Sequence, residues 1–240
     1  AYEFLFNMEY AMRKAGIRNK VDLYWVTPEP YLGHFGIDGI TGGEAMLKGF
    51  MKMFNIKYIT EAAIQKVEKD KIILQDGTVL PYKFSMIMPA FLGAKVVRNS
   101  EGLANARGFI PVHDTYQHKQ FPNIFAAGIA VDVPAPFKPG KVPLGVPKTG
   151  YPSDETGKVA AENIVRLIKG RKDLEAKAFG KIPGLCVMDA GSKEVIIVTN
   201  HLFKPRQFAI MIPNPIYDIN KRILEKYFMW KIRTGRSYLP

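Results

Sequence analysis

The chain has 240 residues, of which 47% are hydrophobic and 23% charged, a composition that supports an ordinary buried core and argues against a mainly disordered protein. Its net charge of +12 is compatible with nucleic acid, an anionic membrane surface, anionic ligands or a solvated basic surface, but no nucleic-acid-binding motif accompanies the charge, so nucleic acid is not expected. A single cysteine, Cys186, excludes an internal disulfide and a cysteine-rich metal site, and we predict no metal site.

The first predicted elements are a helix and a strand. A helical pattern runs from Tyr2 to Ala15, and Gly16 suits its end. Val21 to Thr27 then has the composition of a buried strand. A helix followed by a strand is half of a βαβ unit whose first strand is missing, so we expect a fragment of a longer protein. The apolar stripe of the helix comprises Leu5, Met8, Met12 and Ala15.

A second helix and a group of short strands come next. The helix is predicted over Gly43 to Phe54, with a strand over Ile56 to Thr60 after it. Asp76-Gly77 indicates a hairpin turn, and Asn99 to Gly108 is loop-like. The shorter strands are predicted at Ile64 to Glu68, Ile72 to Leu74, Val79 to Tyr82 and Phe84 to Met88.

The second half of the chain starts from a proline-rich segment. Five prolines between Pro134 and Pro147 predict a stiff loop or a linker. A helix follows from Ser153, the N-cap candidate, to Lys169, and Gly170 ends it. The last predicted elements are strands over Gly184 to Asp189, Val195 to Thr199 and Phe208 to Ile212, with a hairpin turn near Gly191-Ser192, and a helix over Ile216 to Ile232.

The last helix combines an apolar stripe with many cations. No apolar run reaches the roughly 18–20 residues that a membrane-spanning helix needs. The pattern suits a helix that lies in a membrane interface, and the alternative is a core-packing helix with a basic outer face. The stripe comprises Ile216, Ile219, Ile223, Tyr227 and Trp230, widened by Leu224 and Phe228, and the cations are Lys221, Arg222, Lys226, Lys231, Arg233 and Arg236.

Gly128 and Lys148 form the first candidate site. A buried strand from Phe121 is predicted to end at Gly128, where a missing side chain lets a flat cofactor approach the backbone. Lys148, in a stiff loop before a helix, would add positive charge beside it. The alternative is an ordinary turn at the end of a strand. The chain has no Gly-x-Gly-x-x-Gly, so a pyrophosphate cradle is absent or lies elsewhere.

Three further side chains could carry chemistry. Cys186 lies in an apolar strand, where a lone cysteine is usually inert core packing, and a reactive thiol would need a partner or a base. Glu3, in the first turn of a helix, is either a favourable carboxylate at a helix N-terminus or a proton acceptor. His34 follows a strand and could handle protons near neutral pH, although surface histidines are common. The other histidines, interpreted as structural or exposed, are His113, His118 and His201.

The order of these motifs resembles a known family. Phe121 to Ala130, followed by Val146-Pro147-Lys148-Thr149-Gly150, is similar to the flavin-facing segment of sulfide:quinone oxidoreductases. Ala1-Tyr2-Glu3-Phe4 resembles the residues that follow the Cys-Phe-Gly-type turn of that family. The resemblance runs from Ala1 to about Arg236. It implies an α/β fold, an incomplete Rossmann-like fold of the two-dinucleotide-binding-domain flavoprotein class, with an amphipathic carboxy-terminal helix.

The resemblance also implies a domain division and site roles. Residues 1–89 would be a partial second Rossmann-like domain, 90–182 the flavin-facing return segment with its proline-rich loop and helix, and 183–240 a hairpin and membrane/quinone helix. Cys186 would be one member of a redox cysteine pair whose partner lies outside this chain, and Glu3 and His34 would be acid–base residues. The implied FAD-binding residues are Gly128, Ile129, Val146, Pro147, Lys148 and Thr149, and the implied quinone-binding residues are Leu185, Lys221, Leu224 and Phe228.

The implied activity is oxidation of sulfide to sulfur or polysulfide, with electrons passing through FAD to quinone, by a peripheral membrane flavoenzyme. The sequence does not decide whether the protein forms a homo-oligomer or which side of the membrane it binds. The alternatives are an NADH:quinone oxidoreductase, the flavoprotein of a flavocytochrome c sulfide dehydrogenase, and a cofactor-free fragment. Ile129 replaces the acid that many related flavoproteins have after the glycine, which argues against the NADH enzyme. The basic terminal helix argues against a cytochrome-linked subunit.

Overall fold

A computed structural model describes residues 2–138, 140–214 and 219–239 of the chain. Short 3₁₀ turns at Arg18–Lys20, Gly128–Ala130 and Phe179–Lys181 supplement the regular elements. In chain order the helices and strands are α1 (Tyr2–Lys14), β1 (Leu23–Val26), α2 (Gly43–Met53), β2 (Ile56–Ile59), β3 (Ile64–Val67), β4 (Lys71–Leu74), β5 (Val79–Pro81), α3 (Lys95–Arg98), α4 (Gly150–Ile168), β6 (Gly184–Asp189), β7 (Glu194–Thr199), β8 (Ala209–Asn214) and α5 (Ile219–Arg233).

The chain divides into two compact units. The first unit contains Ala1–Ala90, Ala135–Val146 and Met188–Lys193. The second unit contains Phe91–Pro134, Pro147–Val187 and Glu194–Pro240. The boundary therefore falls inside β6, after Val187.

The first unit contains a parallel strand pair. β1 and β2 pair in parallel, with Leu23 opposite Ile56 and Val26 opposite Ile59, and α2 is the connection between them. Parallel neighbours need such a crossover, so this is a βαβ unit and the predicted α/β class is confirmed. β3, β4 and β5 form a separate antiparallel sheet, and Gly77 turns at φ +87° as the Asp76-Gly77 hairpin predicts.

Two predictions for the first unit are wrong in detail. On α1 the buried side chains are Tyr2, Leu5, Phe6 and Glu9, whereas Ala15 of the predicted stripe is exposed. Bulky aromatic side chains therefore define the buried face more than the methionines do. Residues 84–88 form no strand, and the Phe84 side chain is 66% exposed. Apolar composition predicts a strand only where a neighbouring strand pairs with it, and in the described part of the chain none does.

The second unit has its own core below α4. Buried side chains of Ile110, Tyr116 and Val131 cluster with Val159 and Ala160 of α4. The strand predicted from Phe121 is reduced to one bridge, between Gln117 and Phe125. In a third sheet β7 lies between β6 and β8 and pairs antiparallel with β8.

α4 begins earlier than predicted. Thr149 is the residue before its first turn, so Ser153 lies inside the helix and is not the N-cap. The first turn includes Pro152, a position where the missing N–H of proline costs nothing. Gly170, at φ +72°, donates its N–H to the Leu167 carbonyl and ends the helix as predicted.

α5 presents apolar side chains to solvent. Ile223 is 60% exposed and Trp230 41% exposed, so most of this stripe does not pack into a core. Ile216 lies outside the described residues. Lys231 departs from the predicted basic outer face, because it is buried, with Nζ 2.8 Å from Asp154 Oδ2 and 2.9 Å from the Leu239 carbonyl oxygen. Among the described residues no helix is long and apolar enough to cross a bilayer.

Candidate flavin, sulfur and quinone sites

Gly128 lies in a turn that only glycine fits well. Its φ is +64°, and a Cβ placed there would lie 3.1 Å from Cβ of Ser153. The Gly128 N–H donates to Oγ1 of Thr156 at 2.9 Å, which ties the turn to the first turns of α4. The next side chain, Ile129, is 68% exposed. The turn therefore offers a bare backbone and one apolar side chain beside a helix N-terminus.

Lys148 reaches the same turn from the proline-rich loop. Its Nζ donates to the Val131 carbonyl oxygen at 2.8 Å and lies 3.7 Å from the centre of the Phe109 ring. Burial lowers the pKa of Lys148 below its ordinary value, an effect that the nearby Arg107 reinforces and Asp132 opposes. Pro147 and Thr149 flank it in the second unit, whereas Val146 belongs to the first unit.

Cys186 is exposed on β6, so the expectation that it packs in a core is wrong. Its neighbours Leu185 and Val187 line a groove against α5. Because successive side chains of a strand point to opposite faces, Cys186 belongs to the face of β6 away from that groove. The thiol and the groove thus occupy the two sides of one strand.

The groove between β6, β7 and α5 has a volume of about 340 Å³. Of the four predicted quinone residues, Leu185 and Leu224 line it, whereas Lys221 and Phe228 are not among the described lining residues. The Phe228 ring instead lies 4.7 Å from the buried Nζ of Lys231. The lining residues are Leu185, Val187, Ile196, Asn220, Ile223, Leu224 and Tyr227.

His34 is buried in the first unit, at 3% exposure, and is not a surface histidine. Its Nδ1 accepts the Gly36 N–H at 3.2 Å, which leaves the proton of the neutral ring on Nε2. Nε2 lies 3.9 Å from Oδ1 of Asp38. The Phe137 ring packs edge-on against the imidazole, with 4.6 Å between ring centres.

Tyr2 and Glu29 hold the backbone on both sides of His34. The Tyr2 hydroxyl donates to Oε2 of Glu29 at 2.5 Å and accepts the Gly33 N–H at 3.2 Å. Oε1 of Glu29 accepts the Phe35 N–H at 2.6 Å. Burial raises the pKa of Glu29, and burial together with the Glu29 charge raises the pKa of Tyr2.

Sequence reasoning missed Tyr2 and Glu29. Glu29 lies between two prolines just after a strand, and a carboxylate at that position is the signal that could have identified it. Glu3 directly follows Tyr2 on α1, is half-buried, and its carbonyl oxygen accepts the Asn7 side-chain N–H at 2.9 Å. The first unit therefore contains both predicted acid–base residues, Glu3 and His34.

The other histidines fit the structural or exposed interpretation. His118 is buried, with Nδ1 accepting the Gln120 N–H at 2.9 Å and Nε2 lying 3.1 Å from the Leu103 carbonyl oxygen. Across residues 2–138, 140–214 and 219–239, no group of three or more His, Cys, Asp or Glu side chains is arranged to hold a metal ion.

Comparisons with known proteins agree with the family resemblance. The chain is 34% identical to the sulfide-quinone reductase of Aquifex aeolicus over 98% of its own length, and it spans 55% of that relative. It matches the crystal structure of the sulfide:quinone oxidoreductase of this hyperthermophilic bacterium with a TM-score of 0.89, at 98% coverage of this chain and 55% of that one. No family model matches.

A more distant likeness shows the fold alone. A chain of the Tetrahymena thermophila mitochondrial ATP synthase matches with a TM-score of 0.55 and 18% identity, covering 80% of this chain and 44% of that chain. The Aquifex aeolicus matches, and not this distant one, confirm the resemblance to sulfide:quinone oxidoreductases. The chain spans about half the length of the curated relative that it matches.

Proposed function

We propose that this chain is the carboxy-terminal part of a flavin-dependent sulfide:quinone oxidoreductase, which oxidises sulfide to sulfur or polysulfide and reduces quinone. The observation that carries the proposal is the match of nearly the whole chain, in sequence and in fold, to sulfide-quinone reductase. The exposed thiol and the apolar groove support it, since they provide separate places for sulfur and quinone on the two sides of β6.

The turn at Gly128 fits FAD. The missing Cβ of Gly128 leaves bare backbone, and the exposed Ile129 adds an apolar side chain, beside the N-terminus of α4, whose dipole favours negative charge. Lys148, held at the same turn, adds a cation that would stabilise an electron-rich ring edge. A bound flavin would supply two-electron chemistry, accepting electrons from sulfur and passing them to quinone. Pro147 and Thr149 would fix the loop on either side of Lys148.

Cys186 would carry the sulfur chemistry. Sulfide attacks a disulfide that joins Cys186 to a cysteine outside this chain; the new S–S bond leaves a persulfide on one cysteine and releases the other as a thiolate. The exposed position of Cys186 on β6 gives sulfide access to the sulfur atom. Glu3 and His34 would take up and return the protons of these steps.

The groove and α5 would serve the quinone. Leu185 and Leu224 form part of an apolar wall that suits a quinone ring, and Lys221 and Phe228 would act at its edge. Exposed Ile223 and Trp230 on α5, together with the cations of the same helix, would hold the enzyme on an anionic membrane as a peripheral protein.

The activity test uses the full-length enzyme with sulfide and a short-chain quinone, and follows quinone absorbance. We expect sulfide-dependent reduction, and no reduction would reject the assignment. Cys186→Ala should abolish turnover while flavin absorbance stays, because it removes one sulfur of the attacked disulfide and none of the residues proposed to hold FAD. Full activity in this variant would remove Cys186 from the mechanism. Oxidation of NADH in place of sulfide would instead favour the NADH:quinone alternative.

Membrane association has its own test. Replacing both Ile223 and Ile232 with serine should reduce cosedimentation with vesicles that contain anionic lipid, because both side chains are exposed on α5. Val96→Ser is the matched control, since Val96 is 72% exposed but lies on α3. Equal losses in the two variants, or none in either, would contradict a role of α5 at the membrane.

A further inference from the structure

The groove between β6, β7 and α5 has a polar end built around a buried glutamate. Glu194, the first residue of β7, is fully buried, and its Oε2 accepts two side-chain N–H groups. One comes from Nδ2 of Asn214 at 3.0 Å and the other from Nδ2 of Asn220 at 3.2 Å. Of the two asparagines, only Asn220 lines the groove.

The carboxyl group of Glu194 is only half satisfied. Its second oxygen, Oε1, is enclosed and has no hydrogen-bond partner among the residues that the structure describes. A buried polar atom without a partner costs stability, so a protein that retains one usually does so for a function. Glu194 also lies two residues before Ile196 on β7, so both belong to the sheet face that borders the groove.

We propose that Asn220 donates a hydrogen bond to a carbonyl oxygen of the quinone in this groove, and that Glu194 positions the Asn220 amide for that purpose. This inference rests on the proposed function. A carboxylate oxygen is an acceptor, so it fixes the amide nitrogen of Asn220 toward itself. That nitrogen has two hydrogens, of which one goes to Glu194 and the second can go to a ligand.

The chemistry of the groove matches a quinone head group. Leu185, Val187 and Ile196 provide an aliphatic wall from the sheet, and Ile223 and Leu224 provide one from α5. An apolar ring with a carbonyl oxygen at its end would lie in the groove between these two walls, and the oxygen would accept the Asn220 hydrogen bond. The same oxygen gains negative charge as the quinone is reduced, and a fixed donor becomes more favourable as that charge develops.

The decisive comparison is Asn220→Leu against Asn214→Leu in the full-length enzyme. Both substitutions remove a donor to Oε2 of Glu194, but only the first removes a groove residue. For Asn220→Leu we expect kcat/KM for the short-chain quinone decylubiquinone to fall about 10- to 100-fold. Anaerobic reduction of the flavin by sulfide should keep its rate. Asn214→Leu should stay within about 2-fold of the wild type for quinone.

Glu194 variants separate positioning from structure. Glu194→Gln keeps an oxygen that accepts the Asn220 N–H, so it should retain most of the quinone kcat/KM, whereas Glu194→Leu should lose as much as Asn220→Leu. Equal kcat/KM values for Asn220→Leu and Asn214→Leu would overturn the proposal. So would Glu194→Leu with unchanged quinone kinetics.

A binding measurement distinguishes failure of this inference from failure of the proposed function. Titration calorimetry with decylubiquinone needs no sulfide turnover. Weaker binding to Asn220→Leu than to Asn214→Leu supports Asn220 as the recognition residue even if the wild-type enzyme does not oxidise sulfide. Equal binding to both variants overturns it even if sulfide is oxidised.

Discussion

Glu29 of the first unit and Glu194 of the second are both buried, and their carboxyl groups have different surroundings. Both oxygens of Glu29 in the first unit have partners, the Tyr2 hydroxyl on one and the Phe35 N–H on the other. In the second unit Glu194 has two asparagine donors on Oε2 and no described partner on Oε1. The first arrangement fixes backbone, while the second holds the amide of Asn220, which lines a groove.

This difference separates rigid support from recognition. A fully bonded buried network has little freedom, so it suits the task of holding the loop around His34. In the partly bonded one, Asn220 Nδ2 has a second hydrogen beside the one it donates to Glu194, and a ligand in the apolar groove can accept it. We therefore expect substitutions at Glu29 to affect stability strongly and those at Asn220 to affect ligand kinetics.

The largest expected effect is the loss of Glu29. Glu29→Ala leaves the Tyr2 hydroxyl and the Phe35 N–H without their acceptor in a buried place. Each such group costs on the order of 1–3 kcal/mol, so the free energy of unfolding should fall by about 3 kcal/mol. Chemical denaturation of the 240-residue chain measures this. Glu61→Ala, which removes a carboxylate that pairs with the exposed Lys141, should change it by less than about 0.5 kcal/mol.

The parts of the fold that the sequence predicts well are those with a local cause. The β1–α2–β2 unit, the Gly77 hairpin and the end of α4 at Gly170 follow from periodicity and from glycine. The Tyr2–Glu29 pair could not be predicted in the same way, because its partners are 27 residues apart and meet only after the chain folds.

The candidate site was predictable to a similar degree. The motif predicts Lys148 beside Gly128, and in the structure Lys148 bonds the Val131 carbonyl next to the Gly128 turn; the role of both residues toward FAD stays a prediction. Cys186 was placed on the correct strand, but its exposure depends on which face β6 buries. Lys221 and Phe228 were expected in the groove, where the described lining includes Asn220 and Tyr227 instead, because the register of α5 against β6 is a tertiary property.

Lys231 is a third buried polar group, and unlike Glu29 and Glu194 it is paired with an oppositely charged side chain. Its Nζ is paired with Asp154 and also bonded to the Leu239 carbonyl. Asp154 also pairs with Lys158 at 3.1 Å, so it keeps a cationic partner when Lys231 is removed. Lys231→Met should therefore lower the free energy of unfolding by about 1–2 kcal/mol, which is less than the loss of one partner from an isolated buried ion pair. Lys226→Met, exposed on the same helix, should cost less than about 0.5 kcal/mol. Equal losses would mean that the Lys231 pair contributes nothing.

The pH dependence of stability distinguishes Glu29 from other carboxyl groups. Because burial raises its pKa in the folded state, folding favours the protonated form. Its contribution is complete below the ordinary value of 4.5 and is lost as pH rises through the raised pKa, by at most about 1.4 kcal/mol per pH unit. Glu29→Gln should remove this decline. The wild-type minus Glu29→Gln difference in unfolding free energy, measured from acid to neutral pH, should therefore fall; a flat difference would show that Glu29 does not titrate there.

The smallest expected change in stability comes from substitutions of two glycines in or next to α4. They test whether the Gly128 turn of the second unit is needed for flavin binding. Gly128→Ala forces a side chain into φ +64° and within 3.1 Å of Ser153 Cβ, which should lower the free energy of unfolding by about 1 kcal/mol. Gly157→Ala, within α4 and with open space at its Cβ position, should raise it by about 0.5–1 kcal/mol. Thermal unfolding of both variants measures these opposite shifts. Flavin content of the full-length enzyme should fall only in Gly128→Ala, because a Cβ there also occupies the backbone surface that the ring would use.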